Sequence, residues 1–451
     1  MKSTHKTMIL CFVRTERNGK TMPNKLLVLS ADGLVKEDVD ALRSMKNFRK
    51  YFSRASGIER VRSIYPTITY PCHTTMCTGV WPEKHGVCGN LQLMPGSKKK
   101  PWKWFRTDNL WPDDIFFAAK RKGLSTGAVF WPATGNHPAI DYLVDEYWPQ
   151  SENDPLPEVF RRSGSSEEVL HAIEHSYQNV PLHRHPETTE FIMRCAVDLI
   201  DAFQPDVLFL HPADVDAARH HNGVFNDRVD AAVAATDGYI GMMMEALDRH
   251  GLIPETNVVL TSDHGLIDVK QIVNVNVRLA EAGLLDVGED GSLLGWRAYC
   301  QSGGTSALVY LNQDVGPEAY DRTYSVLKEM RENPACGIGR VFTEEESRAE
   351  QHFGGEFSFV LETDGSTAFG DDFCGPLKKQ YDITDYRYGR ATHGHLPDKG
   401  PQPVFWCIGP DFRENVVLPE GRLIDQAPTY AKILGTELKD CDGSALTELL
   451  R

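Results

Sequence analysis

Three short apolar runs, each breaking off into an acid or a histidine, constrain the fold of this chain more than any other feature. They are KLLVLSADGL (25–34), DVLFLHPADVD (206–216) and NVVLTSDHG (257–265). Each is continuous rather than alternating, which is the pattern of a strand covered on both faces of a parallel sheet. A fourth run, PVFWCIGPDF (403–412), follows THGH (392–395). Asp32, Asp216, Asp263 and His264 therefore fall at or just beyond strand carboxyl ends, where open α/β sheets place their ligands. Helical patterns separate the runs. WPDDIFFAAKRKG (111–123) opens on Pro-Asp-Asp and closes on Gly, and 227–250 carries a helical apolar stripe in which Met242, Met243 and Met244 read as core filling. DQAPTYAKILG (425–435) reads as a Pro-started helix. Strands alternating with helices predict a mostly parallel sheet with helices on both faces.

The alternation breaks between 274 and 390, where Gly, aromatic residues and short strand-like pieces such as TSALVYL and FSFVLET predict a smaller, cap-like α+β insertion. The expected division is a disordered extension over 1–23, a core from 24–273 and 391–451, and the insertion over 274–390. A chain of 451 residues with 41% hydrophobic and 25% charged residues is long enough for such a core, and far from the composition of disorder. Its formal net charge of -15 argues against stable nucleic-acid binding through a basic face. Lys98, Lys99 and Lys100 form one basic run, expected to be a solvated loop. Ten cysteines without disulfide or CxxC spacing predict reduced thiols and a cytoplasmic protein. The run MILCFV (8–13) is shorter than a signal sequence's apolar region, and no run reaches membrane-spanning length, so no membrane association is expected. The oligomeric state is not legible.

Asp32, Asp216, His220, Asp263, His264 and His393 together offer three carboxylates and three imidazoles, a set suited to zinc or manganese. Asp216 and His220 stand four apart, on one face of a helix. Each of these short patterns alone has an ordinary explanation as a cap, a surface pair or a turn. Their ordered recurrence at successive strand ends favours a site.

The motifs SADG, IYPTITYPCHTTMCTGVWPEKHGVCGN (64–90), FWP (130–132), DVDAARHHNG, SDHG, THGH and DQAPT resemble, in order, those of the nucleotide pyrophosphatase/phosphodiesterase family of the alkaline phosphatase superfamily. The resemblance implies an alkaline-phosphatase-like α/β core and a metal-dependent hydrolase of phosphodiester or phosphoanhydride bonds, acting through a phospho-threonine intermediate. It places the nucleophile at Thr69 and two divalent ions, usually zinc, on Asp216, His220 and His393 and on Asp32, Asp263 and His264, with Thr69 bridging toward the second. Asn90 would donate to a phosphoryl oxygen. Tyr70 would stack on a planar substrate group, with His211, Trp102 and Trp104 as companions. Asp214 is a second acid ahead of His220, but only Asp216 gives the DxxxH spacing. His221 and His395 are neighbouring candidates, and Cys72 stands where the family often has Asn.

The physical logic is independent of the name, because a threonine hydroxyl needs a bound cation to become a useful nucleophile at neutral pH. Cys72 lacks the sequence context of a modified sulfatase cysteine, so Cys72, Cys77 and Cys88 are expected to be small buried residues. Phosphonoacetate hydrolases and phosphomonoesterases share the metal ligands, and Lys98 to Lys100 with Arg106 could serve their terminal anion. A catalytically silent metal-binding protein would be expected to have lost a ligand or the nucleophile, and none is missing.

Overall fold

Leu27 and Leu29 face one hydrophobic core while Leu26 and Val28 face another. That alternation, within a run with no polar interruption, is what a strand needs when both faces of its sheet are covered. In this computed structural model, which describes residues 16–17, 20–21, 23–151, 153–177 and 184–451, the run is β1 (Lys25–Ser30). The central sheet continues with β2 (Ser56–Arg62), β3 (Thr126–Val129), β4 (Tyr142–Val144), β5 (Val207–Leu210), β6 (Thr256–Thr261), β7 (Phe405–Ile408) and β8 (Val417–Arg422). The strand order is β8-β2-β7-β6-β1-β5-β3-β4. All neighbours are parallel except β7, which is antiparallel to β2 and β6.

The direction of β7 differs from that of the three other apolar runs. Phe405, its first residue, pairs with Thr261, the last of β6. The chain reaches β7 from THGH, already at the carboxyl edge of the sheet, and can only run back down. Its trailing Asp411 consequently lies at the opposite edge, where it accepts from Asn24 and Asn257.

Helices cover both faces. Glu187–Phe203 and Asp227–Arg249 bury Leu199, Ile240, Met243 and Met244 on one side. Ile115–Arg121 and Gln426–Ile433 bury Phe116 and Tyr430 on the other. The Asp114 side chain caps its helix by accepting from Phe116 and Phe117 N–H, as the Pro-Asp-Asp start predicts. Pro428 sits in the first turn of the last helix, where a missing N–H costs nothing.

A second sheet, antiparallel, contains Ala298–Ser302, Ser306–Leu311, Phe359–Thr363 and Ile338–Thr343 in that spatial order. The helix Pro317–Glu332 packs on it through Val326, Leu327 and Met330. The strand Gln271–Asn274 straddles the expected boundary at 274 and pairs with Thr367–Gly370 inside the inserted segment. The extension expected over 1–23 lies mostly outside the described residues. The nine described cysteines are all free thiols. Among the described residues no helix is long and apolar enough to cross a membrane.

Candidate active site

The hydroxyl-rich segment becomes a ten-residue helix, Thr69–Thr78, in which every residue is buried. Such a helix has no polar face, so its hydroxyls must find partners locally. Thr74 and Thr78 each donate to the carbonyl four residues back, both at 2.8 Å, and Thr75 donates to Val80 O. His73 is equally enclosed between Thr69 O and Ser30 Oγ, each at 2.9 Å. Cys72 and Cys77 pack inside, where burial pushes both thiols well up. These residues are the helix's fixings. Gly79, with φ at +69°, ends it.

Thr69 is the first residue of that helix, and its Oγ1 lies 3.2 Å from His264 Nε2. Around it the strand ends deliver two clusters. Asp216, His220 and His393 offer ligand atoms within 4.8 Å of one another, and so do Asp32, Asp263 and His264. Asp216 and His220 sit on the helix Asp214–Asn222 after β5, while Asp263 and His264 follow β6 directly. The two clusters touch, because the rings of His264 and His393 are 4.2 Å apart. The Asp32–Gly33 turn backs onto Asp216, whose N–H donates to Asp32 O at 3.1 Å. A Cβ on Gly33 would come 3.0 Å from the Asp216 Cα, and φ there is +70°, so SADG requires its glycine on both counts.

The donor set is electrostatically incomplete. Burial, then the Asp216 charge, pushes the Asp32 carboxyl well above the usual carboxylate range; burial, then Asp32, does the same to Asp263. Burial holds the His393 imidazole down at about 3, and burial with His393 keeps His264 low as well. Burial opposes charge on Asp216 too, but the His220 ring 3.1 Å away prevails and lowers its pKa. Among the described residues Asp32 Oδ1 and Asp216 Oδ1 are buried with no hydrogen-bond partner. Buried carboxylates crowded together, the neutral imidazoles of His264 and His393 and orphaned lone pairs aimed into one space fit divalent cations.

Other expected residues fall around these clusters. Asn90 accepts from Tyr70 N–H at 3.0 Å, which turns its amide Nδ2 toward the site. Tyr70 is wholly buried, with its ring against Trp102 at 5.5 Å and its hydroxyl donating to Glu146 at 3.1 Å. Beside it, Trp102 and Tyr386 are only partly buried, with ring centroids 5.4 Å apart. Trp104 is buried against Tyr147. His211 lies behind Asp32, with Nε2 3.0 Å from Oδ2 and Nδ1 facing Phe130 O. Both ring nitrogens are thus engaged within the protein. Asp214 is occupied by His185 and Tyr239, leaving Asp216 in the cluster. His221 is exposed, and His395 is buried on Leu396 O. Lys100 is buried on Asp371, and Arg106 on Asp114 and the carbonyls of Asn109 and Trp111, whereas Lys98 and Lys99 are exposed.

Two residues were not singled out from the sequence. Arg219 is completely buried, donating to Gly33 O and pairing with Asp38 at 2.5 Å, and it clamps the DxxxH helix to the Asp32 turn. Its neighbour relation to His220 was the only signal. Tyr386 lies over His220 and His393, with ring centroids 5.7 and 5.9 Å away.

A family model described as type I phosphodiesterase / nucleotide pyrophosphatase matches residues 26–395. Ectonucleotide pyrophosphatase/phosphodiesterase family member 3 of Bos taurus is 24% identical over 53% of this chain and 25% of its own length. Family member 7 of Homo sapiens is 27% identical over 60% of this chain and 56% of its own. The chain thus matches from a quarter to just over half of the length of these relatives. Murine ectonucleotide pyrophosphatase/phosphodiesterase 5 has the same fold, with a TM-score of 0.67 and 18% identity over 95% of this chain and 100% of that one. It has also been solved as an inactive threonine-to-alanine form in complex with AMP. The α/β core is alkaline-phosphatase-like, and the chain belongs to the type I phosphodiesterase / nucleotide pyrophosphatase family.

Proposed function

We propose that this chain is a two-metal hydrolase of phosphodiester or phosphoanhydride bonds in small substrates such as nucleotides, acting through a covalent phospho-threonine on Thr69. The observation that carries the reading is the position of Thr69 Oγ1, at a helix start and 3.2 Å from His264 Nε2, beside two three-residue ligand clusters. Asp216, His220 and His393 would hold one ion, and Asp32, Asp263 and His264 the other, with Thr69 adjoining the second. Bound zinc, or manganese in its place, would lower the pKa of a coordinated hydroxyl and offset charge on the attacking and leaving oxygens. Thr69 Oγ attacks phosphorus, the Oγ–P bond forms, and the bond to the leaving oxygen breaks in line. Water then attacks the same phosphorus, and the Oγ–P bond breaks. Asn90 Nδ2, oriented by the Tyr70 N–H, donates to a non-bridging oxygen. The segment 274–390 acts as a cap that carries Tyr386 to the site.

Phosphonoacetate or monoester hydrolysis would use a cation at the substrate's far end, and Lys100 and Arg106 are held by other groups. Lys103, which lines a small cavity with Asn90, Gln301 and Tyr386, is the observation that favours this second reading. A panel of nitrophenyl nucleotide diester, nitrophenyl phosphate, a nucleoside triphosphate and phosphonoacetate on zinc- and manganese-loaded protein separates the two. Diester turnover above monoester turnover is expected, and the reverse order overturns the diesterase reading. No turnover of any substrate by protein with two bound metals favours a silent binding protein. Thr69→Ala abolishes turnover while metal content stays near that of the parent; retained activity shows the nucleophile to be another group.

A further inference from the structure

Asn90 supplies an amide donor to the site, yet the group standing at that amide is another donor. Asn90 Nδ2 lies 3.4 Å from the Tyr386 hydroxyl, which accepts from it. The phenol's own proton is left over, because among the described residues the hydroxyl donates no hydrogen bond. Two N–H or O–H groups converging without an acceptor between them form a place for an anionic oxygen.

We propose that Tyr386 is a catalytic residue, donating its hydroxyl proton in a hydrogen bond to the same non-bridging phosphoryl oxygen that Asn90 engages. This rests on the phosphodiesterase reading of the site.

The position of the ring supports the assignment. It stands edge-on to His220 and stacked on His393, so the hydroxyl that meets Asn90 belongs to a ring packed on two residues of the ligand cluster. Its backbone is not a free loop. The turn Tyr386–Tyr388 is capped by the Asp385 side chain, which accepts from Arg387 N–H. The Arg387 guanidinium bridges Asp385 at 2.7 Å and Asp371 at 2.6 Å. Asp371 also accepts from Ser302 N–H in the second sheet and pairs with the buried Lys100. A half-buried ion network thus ties Tyr386 to both the inserted sheet and the loop after Asn90, so the donor is in place before substrate arrives. Placing a donor ahead of the reaction avoids reorganisation as charge develops on the phosphoryl oxygen. The inserted segment thereby contributes to the chemistry as well as to the walls of the site.

Tyr386→Phe keeps the ring and removes only the donor. In metal-loaded protein, kcat on a nitrophenyl nucleotide diester is expected to fall about 10- to 100-fold, with KM within threefold and metal content unchanged. Orthovanadate binding, measured by calorimetry, is expected to weaken at least tenfold. Combined with Asn90→Ala, the loss in kcat is expected to be smaller than the product of the two single losses, because both donors serve one oxygen. A Phe variant within twofold of the parent in both kcat and vanadate affinity overturns the proposal. A parent that turns over no diester overturns the phosphodiesterase reading instead, and the vanadate comparison still decides Tyr386. Tyr386→Leu, which retains apolar bulk without any donor, repeats the test if the Phe variant does not fold.

Discussion

Arg219→Met removes a guanidinium that is completely buried, and with it three hydrogen bonds, to Gly33 O, Val224 O and Asp38. Methionine fills most of the volume, so the main cost is the Asp38 carboxylate left enclosed with, among the described residues, Val35 N–H as its remaining donor. Breaking a buried pair from one side costs about 3–5 kcal/mol. At roughly 2.1 cal/mol/K per residue, a chain of this length unfolds with an entropy near 0.9 kcal/mol/K, so Tm falls by about 4 °C. The deficit depends on pH. Burial already raises the Asp38 pKa against the pull of Arg219, and without Arg219 it rises further. A carboxyl whose folded pKa is raised costs nothing below its unfolded pKa, about 3.9, and costs most above its folded pKa. The deficit is therefore small near pH 4 and grows toward neutrality. Urea unfolding of parent, Arg219→Met, Asp38→Asn and the double variant at several pH values gives the cycle. The double variant is expected to be more stable than the sum of the singles by at least 1 kcal/mol. Additivity within about 0.5 kcal/mol, or a deficit that does not grow with pH, refutes the reasoning.

Two further outcomes follow from the same geometry. His211→Ala frees the Asp32 carboxylate to rotate and is expected to weaken one metal site about 10- to 100-fold in chelator competition, with activity recovered at high zinc; unchanged affinity contradicts the positioning role. Glu362 is fully buried beside Lys399 and Leu396 N–H, and burial lifts its carboxyl to about 7, so the native state holds a proton that the unfolded chain releases above about pH 4.5. The parent should lose on the order of 2 kcal/mol between pH 5 and 8 relative to Glu362→Gln, read from urea midpoints, and parallel pH profiles would show that this carboxyl is not shifted.

The strand ends that carry Asp32, Asp216 and Asp263 were legible because a doubly covered strand must be apolar throughout, and any polar residue marks where it stops. The direction of β7 was not legible, since an apolar run reads alike in either orientation and only the chain's arrival from THGH fixes it. The helix Thr69–Thr78 has no amphipathic period because it is buried on all sides. Arg219 and Tyr386 were hidden for a related reason. An arginine inside DxxxH looks solvent-facing until Asp38 is folded against it, and DITDYRYGR reads as a polar loop until the second sheet brings it over His220. His211 was recognised as belonging to the site, but which way its ring faces depends on the spacing of β1 and β5.

The central claim is that phosphorus passes through a covalent bond to Thr69. Hydrolysis of a chiral phosphorothioate diester in isotopically labelled water tests this most directly. Two successive in-line displacements, by Thr69 and then by water, predict overall retention of configuration at phosphorus. Overall inversion would mean a single attack by water, with Thr69 never bonded to the substrate, and would contradict the account.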